Sequence, residues 1–154
     1  AVNTSIRQLV QPDFATLVGN TLAATGLAAQ RLIIEVTESV LDERNMGRAS
    51  ATLNTLHQLG VEIHLDDFGT GYSSLSRLRQ LPLDALKIDK SFVIGMDEKS
   101  LTVVEAALLI ARKYGLRVIA EGVESAAQMH TLQQMGVDEL QGFYLGKPAD
   151  NTTV

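Results

Sequence analysis

The chain contains no cysteine, which excludes a disulfide framework and a thiolate zinc site and fits a reducing compartment. No apolar run approaches the about 18 residues that read as a membrane span, and no basic-then-apolar leader opens the sequence. This piece is therefore expected to make no membrane contact and to work in the cytoplasm. Basic excess is missing as well: 13 lysines and arginines face 18 aspartates and glutamates, a net charge of -5. Gripping long nucleic acid needs a basic face, so that partner class is set aside, and an anionic ligand here would need metal ions. No Pro/Gly/Ser-rich linker divides the 154 residues, whose 45% hydrophobic content can bury one core. One domain over residues 1–150 with a tail at 151–154 is expected.

What is present is a β/α repeat. Apolar, branched runs at RLIIEVT (31–37), VEIHLD (61–66), LDALKID (83–89), LRVIAEG (116–122) and DELQGF (138–143) read as strands. They alternate with amphipathic stretches at 11–25, 42–59, 100–114 and 125–135 that read as helices. Gly26, Gly60, Gly115 and Gly136 stand where helices should stop in a left-handed residue. Asn3, Glu35, Asp66, Lys87, Glu121 and Gln141 fall at or near successive strand ends, at intervals of 32, 31, 21, 34 and 20 residues. Such intervals suit successive βα units of a parallel barrel.

Strand alternation assigns faces. Leu32, Ile34 and Val36 share one side of their strand and Glu35 takes the other; Val61, Ile63 and Leu65 likewise oppose Asp66. Leu86 and Ile88 oppose Lys87, and Val118 and Ala120 oppose Glu121. The apolar side is expected to meet helices. The polar side then points into a common interior and converges at the carboxyl ends of the strands, where such barrels carry their sites. Asn3, Glu35, Asp66, Asp67 and Glu121 offer oxygen ligands without histidine or cysteine partners, which suits Mg²⁺ or Mn²⁺ better than zinc. Four converging carboxylates would repel one another strongly, so cations or protons must accompany them. Two ions could clamp the attacking and leaving oxygens of a phosphodiester. Lys87 could orient the attacking water or neutralise phosphate charge.

Plainer readings exist for each string taken alone. EVTES (35–39) can be a strand followed by a Thr37 or Ser39 helix cap. DDFGTGYSS (66–74) can be an ordinary turn in which Gly69 and Gly71 supply positive φ and Asp67 caps. Lys87 can be structural, and AEGVE (120–124) can end a strand with Glu124 in a first helical turn. Their order along one chain favours a joint site. His64 is expected in the core layer beneath Asp66, and His57 and His130 on helices as solvent or packing residues. Leu108, Leu109 and Ile110 read as helix core. Phe68 and Tyr72 either pack the central loop or touch a base.

VNTS (2–5), EVTES, DDFGTGYSSL (66–75), LKIDKSF (86–92), AEGVE and QGFYLGKP (141–148) together resemble the EAL-domain cyclic di-GMP phosphodiesterases, from residue 2 to about 148. The resemblance implies a TIM-like (β/α) barrel that hydrolyses cyclic di-GMP to linear pGpG with Mg²⁺ or Mn²⁺, two ions, as a homodimer in bacterial signalling. By position it implies Asn3, Glu35, Asp66, Asp67 and Glu121 as metal ligands and Lys87 beside the attacking water. It also implies Gln141 at the site and Glu38 as anchor of the loop 68–76, with Asp89 and Glu124 in support. Thr4, Phe143 and Leu145 depart from the usual residues. The strand bearing the Glu-Ala-Leu motif, with its metal-binding glutamate and a nearby arginine, is not in this sequence. An incomplete barrel without its first two strands is therefore expected, about 80–100 residues short of the roughly 250 of a full barrel. By itself it is expected to be inactive, and in its parent protein fused to sensory or cyclase modules. A non-hydrolytic cyclic di-GMP receptor and an enolase-like metal enzyme are the competing readings.

Overall fold

The computed structural model describes residues 1–41, 46–71 and 75–148. The elements run in the order β1 (Val2–Asn3), α1 (Ile6–Leu9), α2 (Phe14–Thr25), β2 (Ile33–Thr37), α3 (Met46–Gln58), β3 (Glu62–Phe68), α4 (Leu75–Leu78), β4 (Ala85–Ile88), α5 (Lys90–Gly95), α6 (Glu98–Tyr114), β5 (Arg117–Ala120), α7 (Ala126–Met135) and β6 (Glu139–Leu140). Six parallel strands form one sheet in sequence order. Among the described residues each of β1 and β6 has a neighbour on one side only, an arrangement consistent with part of a (β/α) barrel.

The alternation along the strands becomes two faces. Ile34, Val36, Ile63, Leu65, Leu86, Ile88, Val118 and Ala120 are buried in a single core with Leu53, Leu56, Val104, Ala107 and Leu132 from the helices. Branched residues fit the pleated, doubly covered strands, and removing this apolar area from water is the main favourable term. Glu35, His64 and Lys87 are buried on the opposite face.

Helix ends follow local chemistry. Asp97 caps α6 by accepting from Ser100 N–H at 2.8 Å, and Arg112 and Lys113 in its last turn complement the negative end of the helix dipole. Glycines 26, 115 and 136 close α2, α6 and α7 in the left-handed conformation.

Several expectations need correction. The strand expected at 138–143 is only Glu139–Leu140, because the chain turns at Gly142 against Val123; Tyr144 N–H bonds Val123 C=O at 3.0 Å. Glu35 sits two residues before the end of β2. Leu109 is 71% exposed, since 3.6-residue periodicity turns it away from the neighbouring Leu108, which is buried. Gly71 has no positive φ; of the two loop glycines Gly69 alone does. The helix expected from residue 42 is described from Met46, and residues 42–45, Tyr72 and the tail at 151–154 lie outside the described residues.

Candidate active site

One irregularity shapes the site. Between β3 and β4 the register passes from Leu65 opposite Leu86 to Phe68 opposite Ile88, so three steps on β3 match two on β4. Asp67 absorbs the extra residue with φ of 56°. A bulge of this kind re-aims side chains near strand ends. Here it brings Asp67 within electrostatic reach of Asp66, Asp89, Lys87 and Glu38, although strict alternation would turn it away from its neighbour. Burial pushes the Asp67 carboxyl up, and the charges of Asp66 and Asp89 push it further.

Lys87 is the centre of the polar face. Its ammonium lies 2.6 Å from Glu121 Oε1, 2.7 Å from Glu35 Oε1 and 3.3 Å from Asp66 Oδ1, and the residue is 4% exposed. Burial works against the charged lysine, but the hydrogen bonds to Glu121 and Glu35, with the charges of Glu121 and Asp66, outweigh it and hold its pKa above the ordinary value. Burial pushes the Glu121 carboxyl up, and Asp66 and Glu35 add to this, while Lys87 pulls in the opposite direction. Four strands thus deliver three acids and one base to one point: Glu35 from β2, Asp66 from β3, Lys87 from β4 and Glu121 just past β5.

The remaining candidates are placed around this cluster. Asn3 lies beside Glu35 in register across β1 and β2 and is exposed. Gln141 follows β6; its backbone bonds Ala120 C=O and Val123 N–H, and its side chain is exposed. Glu38 Oε1 accepts from Gly69 N–H at 3.0 Å, and a Cβ on Gly71 would lie 2.4 Å from Glu38 Oε2, so the bare glycine admits this approach. Asp89 caps α5 through Ser91 N–H at 2.9 Å. Glu124 is exposed, and its N–H donates to Gln128 Oε1, away from the cluster. Phe68 is buried and packs the start of the loop.

A second polar layer lies beneath. Glu62, His64 and Asp66 share the inner face of β3, and His64 Nε2 lies 3.1 Å from Glu62 Oε2. Arg117, four residues before Glu121, bridges Glu62 and Glu139 from β5 to β3 and β6. The hydrogen bond from His64 holds the Glu62 carboxyl below its ordinary value, with Arg117 acting in the same direction. His64 does occupy the layer beneath Asp66, 3% exposed. The ion pairs around it were not singled out from the sequence, although their spacing of two and four residues below Asp66, Glu121 and Gln141 carried the signal.

Among the described residues no set of three His, Asp or Glu side chains forms a ready-made metal cage. The three acids that converge do so on the Lys87 ammonium. Their donor chemistry fits a hard divalent ion: every candidate ligand offers oxygen, and the cluster already gathers around one positive charge. A groove of about 650 Å³ lies elsewhere, between α2 and β1, and is lined by Val2, Leu17, Val18, Leu32 and Ile34 among others. It is apolar and holds none of the cluster. No helix among the described residues is long and apolar enough to cross a membrane.

Comparison with known proteins gives the geometry its context. The EAL domain family model matches residues 1–148. The chain is 42% identical over 150 residues to the cyclic di-GMP phosphodiesterase PdeR of Escherichia coli, covering 96% of this chain and 22% of that protein. Across the curated relatives the match covers between 18% and 24% of their length. The PaMucR phosphodiesterase, solved as a cyclic di-GMP complex, superposes with a TM-score of 0.91 at 39% identity, over 98% of this chain and 68% of that one. BlrP1 of Klebsiella pneumoniae, solved with calcium and cyclic di-GMP, gives 0.81 at 31% identity over 92% of this chain and 36% of that one.

Proposed function

The chain belongs to the EAL domain family, and from that premise we propose that it carries the carboxylate and lysine part of a cyclic di-GMP phosphodiesterase site that yields linear pGpG. The observation behind this reading is the convergence of Glu35, Asp66 and Glu121 on Lys87 from four adjacent strands. A cyclic dinucleotide has two phosphodiester links and no other strongly charged group, so a site with clustered acids needs divalent cations to receive it.

Asn3, Glu35, Asp66, Asp67 and Glu121 would hold those ions, Mg²⁺ or Mn²⁺. When bound, the ions supply Lewis-acid polarisation of a phosphoryl oxygen. Lys87, fixed by three carboxylates, presents a permanent positive charge that can hold the attacking water or a phosphoryl oxygen in place. In the hydrolysis a water oxygen bonds phosphorus, one P–O ester bond breaks, and the water proton ends on the departing sugar oxygen. Gln141 at the rim can donate to the nucleotide. Glu38 holds Gly69 and so the start of the loop beside Asp67.

The test is a chromatographic time course of cyclic di-GMP with the chain in Mn²⁺, using Glu35→Gln as control. Formation of pGpG that the control abolishes supports a hydrolase in which these six strands suffice. Intact nucleotide that binds only in Mn²⁺ supports the metal-dependent nucleotide site without turnover, an outcome shared with a non-hydrolytic receptor. Absence of both binding and turnover would contradict the proposal.

A further inference from the structure

We infer that Asp84 and Asp138 are positioning residues: each locks its strand to the preceding neighbour at two points, and so sets Lys87 beside Asp66 and Gln141 beside Glu121. The inference rests on the proposed function only for what those four side chains do; their placement stands on backbone geometry.

The two aspartates open matching strings, LDALK (83–87) leading into β4 and VDELQ (137–141) leading into β6. Asp84 N–H donates to Ile63 C=O at 2.8 Å while Asp84 Oδ2 accepts from Ile63 N–H at 2.8 Å, so one residue engages both backbone groups of its partner. Asp138 treats Val118 in the same way, its N–H donating to Val118 C=O at 3.1 Å and its Oδ2 accepting from Val118 N–H at 2.7 Å. A carboxylate that accepts from N–H makes a charge-assisted bond, stronger than a neutral ladder bond. On both strands of each pair the functional side chain follows at the same interval: Asp66 after Ile63 and Lys87 after Asp84, Glu121 after Val118 and Gln141 after Asp138. With the register pinned below, each pair arrives side by side.

Apolar alternation cannot select that register alone. A slip of one residue is excluded, because it would turn Lys87 into the helix-facing core. A slip of two preserves every inward and outward face, yet it would carry the ammonium about 6.6 Å along the strand. Contacts made at 2.6 to 3.3 Å would then be lost. The ladders themselves guard poorly against it: β6 has only two residues, and β3 and β4 already change register between Leu65 and Phe68. Asp84 is further tied into the fold, since its C=O accepts from Arg117 N–H at 3.0 Å and its Oδ1 lies 3.2 Å from His57 Nε2 at the end of α3. One residue thereby fixes β4 against β3 and β5 together.

The experiment is nuclear magnetic resonance of the isotope-labelled chain without metal or nucleotide, so that failure of the hydrolase reading leaves its result untouched. The probes are the Lys87 ammonium signal, assigned by its loss in Lys87→Met, and amide exchange at Gln141 and Val123, whose N–H groups bond Ala120 C=O and Gln141 C=O. Asp84→Ala should shift or erase the ammonium signal; Asp84→Asn, which keeps an oxygen facing Ile63 N–H, should retain it. Asp138→Ala should speed exchange at Gln141 and Val123 by roughly tenfold or more while the amides of α7 keep their protection, and Asp138→Asn should not. Since β6 is a two-residue strand at the end of the sheet order, the Asp138 variants carry the test by themselves where Asp84→Ala does not fold. Alanine variants that lose stability in urea with the ammonium signal and the two amides unmoved would overturn the inference, leaving both aspartates as structural bonds only.

Discussion

The Lys87 ammonium on β4 donates to Glu121 Oε1, one residue past β5, at 2.6 Å, and this contact joins two neighbouring strands at the point where Glu35 and Asp66 also arrive. A buried lysine with three acidic partners organises the polar face. Its partners would otherwise repel one another.

Removing that charge should therefore destabilise the fold. Lys87→Met is expected to lower the unfolding free energy by roughly 3 kcal/mol in EDTA, the usual cost of stripping one partner from a buried ionic group. Millimolar Mn²⁺ should restore most of the loss by binding the folded state. Urea titrations with and without the metal measure both.

The Glu62–His64 pair gives a pH signature. The folded pKa of Glu62 lies below its ordinary 4.5, chiefly through the His64 hydrogen bond. Its stabilising contribution is therefore fully present above pH 4.5 and lost as pH falls through the lower folded value. The difference in urea midpoint between wild type and Glu62→Gln should be steady at neutral pH and shrink below pH 4.5.

Gly142 should not accept a side chain. A Cβ there would stand 2.1 Å from Val123 O and 2.3 Å from Val123 N, both backbone atoms that cannot swing aside. Gly142→Ala is expected to displace the segment after β6 and to destabilise by about 2 kcal/mol or more, within the range for a forced backbone shift. Hydrogen exchange at Gln141 and Tyr144 amides would show the displacement.

Ser125 opens α7 with a reciprocal cap: its Oγ accepts from Gln128 N–H at 3.3 Å, and Gln128 Oε1 accepts from Ser125 N–H at 3.0 Å. Ser125→Ala should cost about 1 kcal/mol. Thermal unfolding against wild type checks the value.

Much of this architecture was written in local pattern. Alternation in RLIIEV was enough to turn Glu35 away from Ile34 and Val36, and three glycines marked helix ends because a left-handed residue favours them. The four-residue helices Ile6–Leu9 and Leu75–Leu78 escaped notice because one turn is too short to display a period. The bulge at Asp67 was hidden for a different reason: alternation presumes an unbroken ladder, and only the pairing of β3 with β4 reveals the additional residue. Arg117 reads locally as an edge-of-strand cation. Its bridge from Glu62 to Glu139 depends on three strands meeting, which no single segment contains.

Equilibrium dialysis of cyclic di-GMP against the wild-type chain and Asp66→Asn, each with Mn²⁺ and with EDTA, tests the central claim most directly. The account predicts retention of the nucleotide by wild type in Mn²⁺, released by EDTA and weakened at least tenfold, about 1.4 kcal/mol, by the substitution. Retention that EDTA and Asp66→Asn leave unchanged would contradict it.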